Sequence, residues 1–220
     1  MSLKEQLSTL KAQNLAKFPE DIKTIMLDEA KKLSDSGIVE GAPKVGDKLK
    51  DFTLSNHLGE NRSLASLRKN GPVVVTFYRG GWCPYCNLEL RAYQEVLQDI
   101  KAAGATLVAI TPELPDASLS TSERNELAFE VLTDINSDYA REIGLVFTLP
   151  KKLRPIYANF GIELERHNGK GQFDLPFAAT FVVDIDGTIT YAFVDADYTV
   201  REEPAKIVKE LESIQERRQK

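Results

Sequence analysis

The stretch 72-PVVVTFYRGGWCPYCNLELRAYQ-94 decides the fold. Its first seven residues are a nearly continuous apolar, β-branched run, which is typical of a strand buried on both faces of a sheet. After the two cysteines, apolar residues recur at helical spacing until Gly104 ends the helix. The segment "TLVAIT" (106–111) is a second buried strand. A strand, a helix and a second strand in this order predict a right-handed parallel crossover.

Shorter elements surround this unit. The segment "DFTLSNHLGENRSL" predicts a β-hairpin, and "ATFVVDIDGTITYAFVD" predicts two strands whose tight turn has positive backbone angles at Asp186 and Gly187. Ser120 and Glu123 have the spacing of a capping box before another helix. Pro204 opens a final helix. The order β-α-β followed by β-β-α predicts an α/β fold, a thioredoxin-like sandwich whose central mixed sheet is flanked by helices.

The N-terminal segment has a different character. Residues 1–36 show apolar residues at helical spacing in two stretches, and Pro19 stands at the start of the second. Glycine and proline then mark a linker. We therefore divide the chain into an N-terminal helical extension, residues 1–40, and a thioredoxin-like domain, residues 45–220. The extension is expected to pack on the domain; a contact between two copies in a homodimer is the alternative.

The charge and the apolar content of the chain argue against some classes of function. The 220 residues carry a formal net charge of −5 and no clustered basic face, which argues against nucleic-acid binding. No apolar stretch approaches the roughly 18 residues of a membrane span. The first residues carry charges where a signal peptide needs an apolar core. We therefore expect a soluble, cytoplasmic protein that binds neither nucleic acid nor membrane.

The two cysteines of the chain, Cys83 and Cys86, form one C-x-x-C motif. In a reducing cytosol such a pair is typical of catalysis or metal binding. A closed zinc site needs four ligands, and the two remaining candidates, His57 and His167, lie far apart in sequence without partner spacing. Two inert core cysteines are the other alternative. We expect neither a metal nor an organic cofactor.

The position of the motif favours redox chemistry. Cys83 follows a buried strand and precedes a helix, so we place it at the N-cap with Pro84 at the first helical position. Unpaired amides and the helix dipole there favour a thiolate over a thiol. Cys86 lies one turn later on the same face, further inside. We therefore predict that Cys83 is the nucleophile and Cys86 the resolving thiol of a dithiol/disulfide couple.

Residues next to the motif are candidates for supporting roles. Arg79 is the nearest cation in sequence, and it can lower the pKa of Cys83 and donate hydrogen bonds to a departing oxygen. The alternative is an ion pair between Arg79 and an acidic neighbour. Gly80 and Gly81 allow the backbone to approach a substrate closely. Tyr85 is either a substrate-facing side chain or a surface aromatic residue.

Three segments carry a resemblance to a known family: "VGDKLKDFTLSNHLGENRSLASL", "GPVVVTFYRGGWCPYC" and "LPFAATFVVDIDGTITYAFVDADYT". Between Val45 and Leu211 the chain resembles the alkyl hydroperoxide reductase/thiol-specific antioxidant family, the peroxiredoxins and their thioredoxin-like relatives. It is most similar to the peroxiredoxin-like subgroup with a Cys-Pro-Tyr-Cys centre. The N-terminal helices lie outside the shared core.

The resemblance implies roles for further residues. Trp82 would shield the disulfide, as in thioredoxins and glutaredoxins, and the Pro84–Tyr85 pair would tune its reduction potential. Ala178 occupies the place of the proline with which thioredoxins face their cysteines, and Thr180 follows it as a supporting residue in the same strand.

The resemblance also implies an activity. It favours an antioxidant enzyme that reduces hydroperoxides at the expense of a thioredoxin, a glutaredoxin or a small thiol. Peroxiredoxins carry a Thr or Ser three residues before the reactive cysteine, whereas this chain has Gly80 there, which favours thiol–disulfide exchange instead. A disulfide reductase therefore remains open as an alternative. A non-catalytic thioredoxin-fold module that senses redox state or holds a partner is the alternative from another class.

Overall fold

The computed structural model describes residues 1–219. Its helices are α1 (Leu3–Lys17), α2 (Glu20–Asp35), α3 (Leu64–Leu67), α4 (Pro84–Glu95), α5 (Leu97–Ala102), α6 (Pro115–Arg124), α7 (Asp138–Glu142), α8 (Arg154–Asn159), α9 (Leu164–Asn168) and α10 (Pro204–Gln219). Its strands are β1 (Thr53–Asn56), β2 (Asn61–Ser63), β3 (Val73–Phe77), β4 (Thr106–Thr111), β5 (Glu130–Thr133), β6 (Val146–Thr148), β7 (Asp174–Pro176), β8 (Ala178–Val183) and β9 (Ile189–Asp195).

The main sheet is mixed, with strand order β2-β1-β5-β4-β3-β8-β9. Strand β4 runs parallel to β3 and β5, and the other neighbours are antiparallel. The predicted parallel crossover is therefore present as β3, α4–α5 and β4, and both predicted hairpins are present as β1–β2 and β8–β9. Strands β6 and β7 form a separate antiparallel pair. The predicted α/β fold, a thioredoxin-like sandwich, is confirmed.

Central strand β3 is buried along its whole length, as its apolar, β-branched sequence predicts. Val74 belongs to the cluster that packs beneath α4, α5 and α10, whereas Val75 and Phe77 belong to the cluster on the opposite face. This alternation follows from the two-residue period of a strand. Because β3 is buried on both faces, its carboxyl end delivers the chain into the first turn of α4 at a fixed position.

Three details differ from the sequence predictions. The predicted single helix after the cysteines is broken at Val96, whose angles (φ −99°, ψ 7°) leave the helical region between α4 and α5. The predicted capping box at Ser120 is wrong because α6 begins at Pro115, and the Ser120 hydroxyl donates 3.0 Å to the Asp116 carbonyl inside that helix. In the β8–β9 turn only Gly187 takes a positive φ, of 89°.

The two N-terminal helices pack against the rest of the chain in different ways. Helix α1 buries Leu3 and Leu7 in the core cluster that also contains both cysteines. Helix α2 has no fully buried residue, and its apolar side packs on a third cluster, built around α8 and the β6–β7 pair. Across residues 1–219 we find no helix with the length and apolar character that crossing a membrane requires.

Candidate active site

Cys83 is the N-cap of α4, the position at which the sequence analysis placed it. Its backbone is extended (φ −89°, ψ 111°), and Pro84 follows as the first helical residue. Its carbonyl accepts the first helical hydrogen bond, 3.1 Å from the Asn87 amide. Both cysteines are free thiols, and both are buried: Cys83 is 1% exposed and Cys86 is 0% exposed. The Cys83 sulfur is therefore enclosed, and another molecule reaches it only when neighbouring side chains move.

The two thiols differ in acidity. Burial by itself raises the pKa of Cys83, but a hydrogen bond from the Cys86 side chain and the charges of Arg79 and Arg201 lower it to about 6. Burial raises the pKa of Cys86 well above its usual value, and the interaction with Cys83 raises it further. One sulfur thus carries a negative charge at neutral pH while its neighbour keeps its proton.

Arg79 lies among aromatic rings. Its Nη2 donates a 2.5 Å hydrogen bond to the Tyr157 hydroxyl, and its guanidinium carbon lies 4.4 Å from the centre of the Tyr198 ring and 5.0 Å from that of Trp82. Within residues 1–219 no carboxylate forms an ion pair with it, and its Nε lacks a hydrogen-bond partner. Burial by itself lowers the pKa of Arg79, but nearby phenols and the Cys83 sulfur raise it, so the charge is retained. The alternative of an acidic partner for Arg79 is therefore wrong.

A second buried cation, Arg201, approaches the cysteines from the loop before α10. Its Nη2 donates to Cys86 Sγ at 3.2 Å, and its Nε donates to Glu89 Oε2 at 2.6 Å. Its Nη1 donates to the Val200 carbonyl at 2.7 Å and also to the Tyr198 carbonyl. The guanidinium is held on three sides, so it presents one edge to the sulfurs in a fixed geometry.

Glu89 connects Arg201 to a buried row of hydroxyl groups. Its Oε1 lies 3.5 Å from the Thr76 hydroxyl, which shares a 3.0 Å hydrogen bond with Thr180. The Tyr93 hydroxyl donates to Thr180 at 3.2 Å. Burial raises the pKa of Glu89 to about 7, because the opposing effect of Arg201 only partly compensates for desolvation. The Glu89–Arg201 pair therefore changes its net charge near neutral pH.

The remaining predicted site residues lie in different surroundings. Trp82 is half-buried and meets Tyr157 edge-on, with ring centres 6.0 Å apart. Tyr85 is buried; its hydroxyl accepts a 3.2 Å hydrogen bond from Asn14 of α1, so it is not a surface residue. Thr180 joins the network behind Glu89, as described above. Ala178 is buried at the start of β8, pairs with Asp195, and has no polar side-chain atom that could contact the sulfurs.

The absence of a hydroxyl-bearing side chain at Gly80 has a steric cause. Gly80 has a φ of 153°, and a Cβ placed on it would lie 2.2 Å from Trp82 Nε1. A Thr or Ser at this position would collide with the indole unless Trp82 moved. The charged groups that act on Cys83 are instead Arg79 and Arg201, and Arg79 is bonded to the Tyr157 hydroxyl.

Four residues of this site were missed by the sequence analysis. Arg201, Tyr157 and Tyr198 lie far along the chain in irregular or short helical segments, where no spacing connects them to the cysteines. Glu89 did give a signal. It falls on the buried face of α4, three residues after Cys86, where a charge is expected only if it has a buried partner.

The two histidines take no part in this arrangement. His167 lies in α9, not in a loop, with Nδ1 3.3 Å from Glu113 Oε1, and His57 lies in the β1–β2 turn. For the part of the chain that the structure describes, we find no group of three or more His, Cys, Asp or Glu side chains arranged to hold a metal ion.

The sequence of the chain matches a known protein family. The model of the AhpC/TSA family matches residues 45–192, about two thirds of the chain. The chloroplastic peroxiredoxin Q of Gentiana triflora is 28% identical over 138 residues, which cover 63% of this chain and 53% of that protein. The chloroplastic peroxiredoxin Q of Triticum aestivum is 26% identical over 163 residues, which cover 74% of this chain and 64% of that protein.

A solved structure shares the fold. The crystal structure of peroxidoxin BcpB from Mycobacterium tuberculosis superimposes with a TM-score of 0.61 at 22% identity and covers 78% of this chain and 97% of that one. The match of the family model spans the hairpin β1–β2, the strand β3, the cysteine pair and β8, and it ends at residue 192 within β9. On this match the chain belongs to the AhpC/TSA family.

Proposed function

We propose that this protein is a thiol peroxidase, an antioxidant enzyme that reduces hydroperoxides through a Cys83–Cys86 dithiol/disulfide cycle. One observation carries the proposal: Cys83 sits at the first turn of α4, where Arg79 and Arg201 help to lower the pKa of its thiol to about 6. Family membership and the similarity to two proteins named peroxiredoxin Q support the choice of a hydroperoxide as substrate.

In the first step the Cys83 thiolate attacks one oxygen of the hydroperoxide ROOH. A sulfur–oxygen bond forms and the oxygen–oxygen bond breaks. Cys83 is oxidised to a sulfenic acid, and the leaving alkoxide takes up a proton to become ROH. Arg79 and Arg201 donate hydrogen bonds to the oxygens as negative charge moves onto the leaving group, which is where fixed donors accelerate such a reaction.

In the second step the Cys86 sulfur attacks the Cys83 sulfur. A disulfide forms, and the hydroxyl of the sulfenic acid leaves as water with the proton of the Cys86 thiol. Cys86 keeps its proton until this step because burial and the neighbouring sulfur raise its pKa. Two equivalents of an external thiol then reduce the disulfide and restore both cysteines, so the cycle balances without a metal or an organic cofactor.

The other predicted residues support these steps. Trp82, with Tyr157, encloses Arg79, so its ring excludes water from the charge that Cys83 depends on. Pro84 begins α4 and fixes the position of Cys83. Tyr85 covers the first turn of the helix, and Thr180 holds the hydroxyl network behind Glu89 in place. We assign no role to Ala178 beyond sheet pairing.

The need to reduce the Cys83–Cys86 disulfide in every cycle supports a choice of electron donor and of cellular location. A buried disulfide that must be re-reduced in every cycle needs a compartment rich in thiols, so we propose the cytoplasm as the location and an external thiol as the electron donor.

The proposal is tested by turnover. Purified protein is assayed with hydrogen peroxide, with an organic hydroperoxide and with insulin, each with dithiothreitol, glutathione or thioredoxin as reductant. We expect catalytic hydroperoxide consumption that disappears in Cys83→Ser. Reduction of insulin with no peroxidase activity would support the disulfide reductase instead. Inactivity towards every substrate, with a normal thiol pKa, would support the non-catalytic module.

A further inference from the structure

The N-terminal helices lie against the active site, outside the region that the family model matches. We call α1 and α2 with their short connection, residues 3–35, the strap. The first half of α1 is anchored in the core through Leu3 and Leu7. The rest of the strap is attached by polar contacts, by one aromatic contact and by the apolar side of α2, and these contacts reach elements that carry active-site residues.

Three of these contacts fasten α1. Asn14 Nδ2 donates to the Tyr85 hydroxyl at 3.2 Å, next to Cys83 and Cys86 in the first turn of α4. Lys11 Nζ lies 2.7 Å from Asp197 Oδ2, in the loop that supplies Arg201. At the start of the helix, the Lys4 amide donates 2.6 Å to the Glu203 carboxylate at the end of the same loop.

The far end of the strap reaches the segment that carries Tyr157. Phe18, between the two helices, stacks on Phe160 with ring centres 4.9 Å apart, immediately after α8. The apolar side of α2 packs on the cluster that contains Tyr157, and Trp82 packs against the same cluster. The strap therefore touches three elements that carry residues of the site: the start of α4 with Cys83, the loop before α10 with Arg201, and α8 with Tyr157.

The strap also occupies the surface that a protein partner would need. Residues of α1 and of α4 line a shared groove that begins at Pro84, the residue after Cys83: Gln6, Thr9, Leu10 and Gln13 on one side, and Pro84, Leu88 and Arg91 on the other. A disulfide between two chains requires their Cα atoms to come within about 7 Å and their Cβ atoms within about 4.5 Å. A folded partner cannot approach Cys83 to that distance while α1 lies along α4.

A small molecule faces a weaker barrier. A hydroperoxide needs only to bring one oxygen to the Cys83 sulfur, and rotation of an aromatic side chain opens a path for it, whereas a protein requires α1 to move away. We propose that the strap is the specificity element of the active site, admitting small hydroperoxides and small thiols and excluding folded protein substrates and reductants. This inference rests on the proposed function of Cys83.

The test compares how fast Cys83 reacts with a small and with a protein-sized reagent. The background is Cys86→Ser, so that only Cys83 reacts, and the reagents are iodoacetamide and a maleimide attached to a long polyethylene glycol chain. The strap variant combines Lys11→Glu, Asn14→Ala and Phe18→Ala. Lys31→Glu is the matched control, because Lys31 pairs with Asp35 inside α2, away from the site. Lys11→Arg keeps the cation.

We expect the strap variant to react with the large reagent about tenfold faster or more, a change that corresponds to about 1.4 kcal/mol. The rate with iodoacetamide is expected to change by less than about threefold, because a small reagent reaches Cys83 without displacement of α1. Lys31→Glu and Lys11→Arg should match the parent with both reagents. An unchanged ratio of the two rates would overturn the proposal. If the triple variant does not fold, Lys11→Glu alone carries the same comparison.

A second readout uses the protein with both cysteines. The strap variant is expected to gain reduction of insulin disulfides while its consumption of hydrogen peroxide stays within about threefold of the parent, because the thiol chemistry at Cys83 is unchanged. Alkylation needs only a reactive thiol. The alkylation ratio of a protein that lacks peroxidase activity therefore still shows whether the strap restricts access. If the protein is an active peroxidase but its alkylation ratio is unchanged, the strap proposal is refuted and the proposed function is not.

Discussion

Arg79, four residues before Cys83, and Arg201, in the loop before α10, both approach the cysteine pair, but their charges act differently. Arg201 is paired with Glu89, so part of its charge is neutralised in the ground state. Within residues 1–219 Arg79 forms no ion pair with a carboxylate and contacts aromatic rings and the Tyr157 hydroxyl, so its full charge is available to Cys83 and, in the proposed reaction, to oxygens that become negative. At the scale of single residues, the account therefore predicts different consequences when each charge is removed.

The reactivity of Cys83 should depend on pH in a way that reports its pKa. Because the pKa of Cys83 is lowered to about 6, the rate of its alkylation by iodoacetamide should rise with pH to a plateau, with the midpoint near that value. A free cysteine reaches half its maximal rate only near pH 8.5. Rates measured from pH 4 to 10 in a Cys86→Ser background, which keeps a hydrogen-bond donor beside Cys83, give the midpoint. A midpoint above pH 8 would show that Cys83 is not activated.

Replacing Arg79 separates activity from stability. In Arg79→Met the midpoint of Cys83 alkylation should move upward, and kcat/KM for hydroperoxide should fall by about 10²–10³-fold, the usual effect of losing a fixed donor to a developing anion. The free energy of unfolding should not fall in proportion, because this buried charge has no carboxylate partner to lose. Tyr157→Phe is the control that keeps the ring and removes the hydroxyl. Equal activity of Arg79→Met and the parent would exclude Arg79 from the reaction.

Glu89 is expected to set how strongly Arg201 acts. Glu89→Gln keeps a hydrogen-bond acceptor and removes the small fraction of carboxylate that opposes Arg201 near pH 6, so the midpoint of Cys83 alkylation should move slightly to lower pH. The variant also changes pH-dependent stability. The pKa of Glu89 in the folded state, about 7, lies above its ordinary value of 4.5. Glu89 therefore lowers the free energy of unfolding as pH rises from 4.5 to 7.

Urea unfolding at pH 4.5 and pH 8 tests this sign. Relative to the parent, Glu89→Gln should have a higher free energy of unfolding at pH 8 than at pH 4.5. A difference that is independent of pH, together with an unchanged midpoint for Cys83, would mean that Glu89 does not titrate in this range and does not modulate Arg201.

At the scale of elements, the turn between β3 and α4 determines the site. Strand β3 is buried on both faces and α4 begins at Pro84, so the intervening residues have little freedom. Within this turn Gly80 takes a φ that favours glycine, and its missing side chain leaves the space that Trp82 Nε1 occupies. The indole can therefore lie over Arg79 only because residue 80 has no Cβ.

Two glycine substitutions test this turn. Gly59→Ala is the matched control, because Gly59 also has a positive φ, 77°, but has open space around it. We expect Gly59→Ala to lower the free energy of unfolding by about 1 kcal/mol, from backbone strain alone. Gly80→Ala should cost about 2–4 kcal/mol, because it adds overpacking against Trp82, and it should slow peroxide reduction as well. Equal costs would indicate that Trp82 is not held by this contact.

The order of elements could be predicted from sequence because each one has a local signature. The alternation of apolar runs, the Pro84 start and the hairpin turn all act over a few residues, so the fold and the position of Cys83 followed from them. The break at Val96 did not follow from these local patterns. The start of α6 did have a local signal that was missed, because Pro115 stands at its first helical position, as Pro84 does in α4. The site beyond the C-x-x-C motif was largely hidden, because Arg201 and Tyr157 meet the cysteines only through the tertiary fold.

At the scale of the whole molecule, the chain buries the cysteine pair, and in our proposal the strap controls access to it. The central sheet and α4 hold both sulfurs at no more than 1% exposure. The strap lies across the surrounding elements, in a segment that precedes the region shared with the family. The division into an extension, residues 1–40, and a thioredoxin-like domain, residues 45–220, remains our proposal. In it, the extension restricts the chemistry that the domain performs.

The most direct test is a single-turnover reaction with the reduced protein. Hydrogen peroxide or cumene hydroperoxide is mixed rapidly with the protein, Trp82 fluorescence follows the reaction, and free thiols are titrated afterwards. The account predicts one disulfide formed per hydroperoxide consumed, at a rate at least about 10²-fold above that of free cysteine at the same pH, and no fast phase in Cys83→Ser. A rate equal to that of free cysteine, or a fast phase that survives Cys83→Ser, would contradict it.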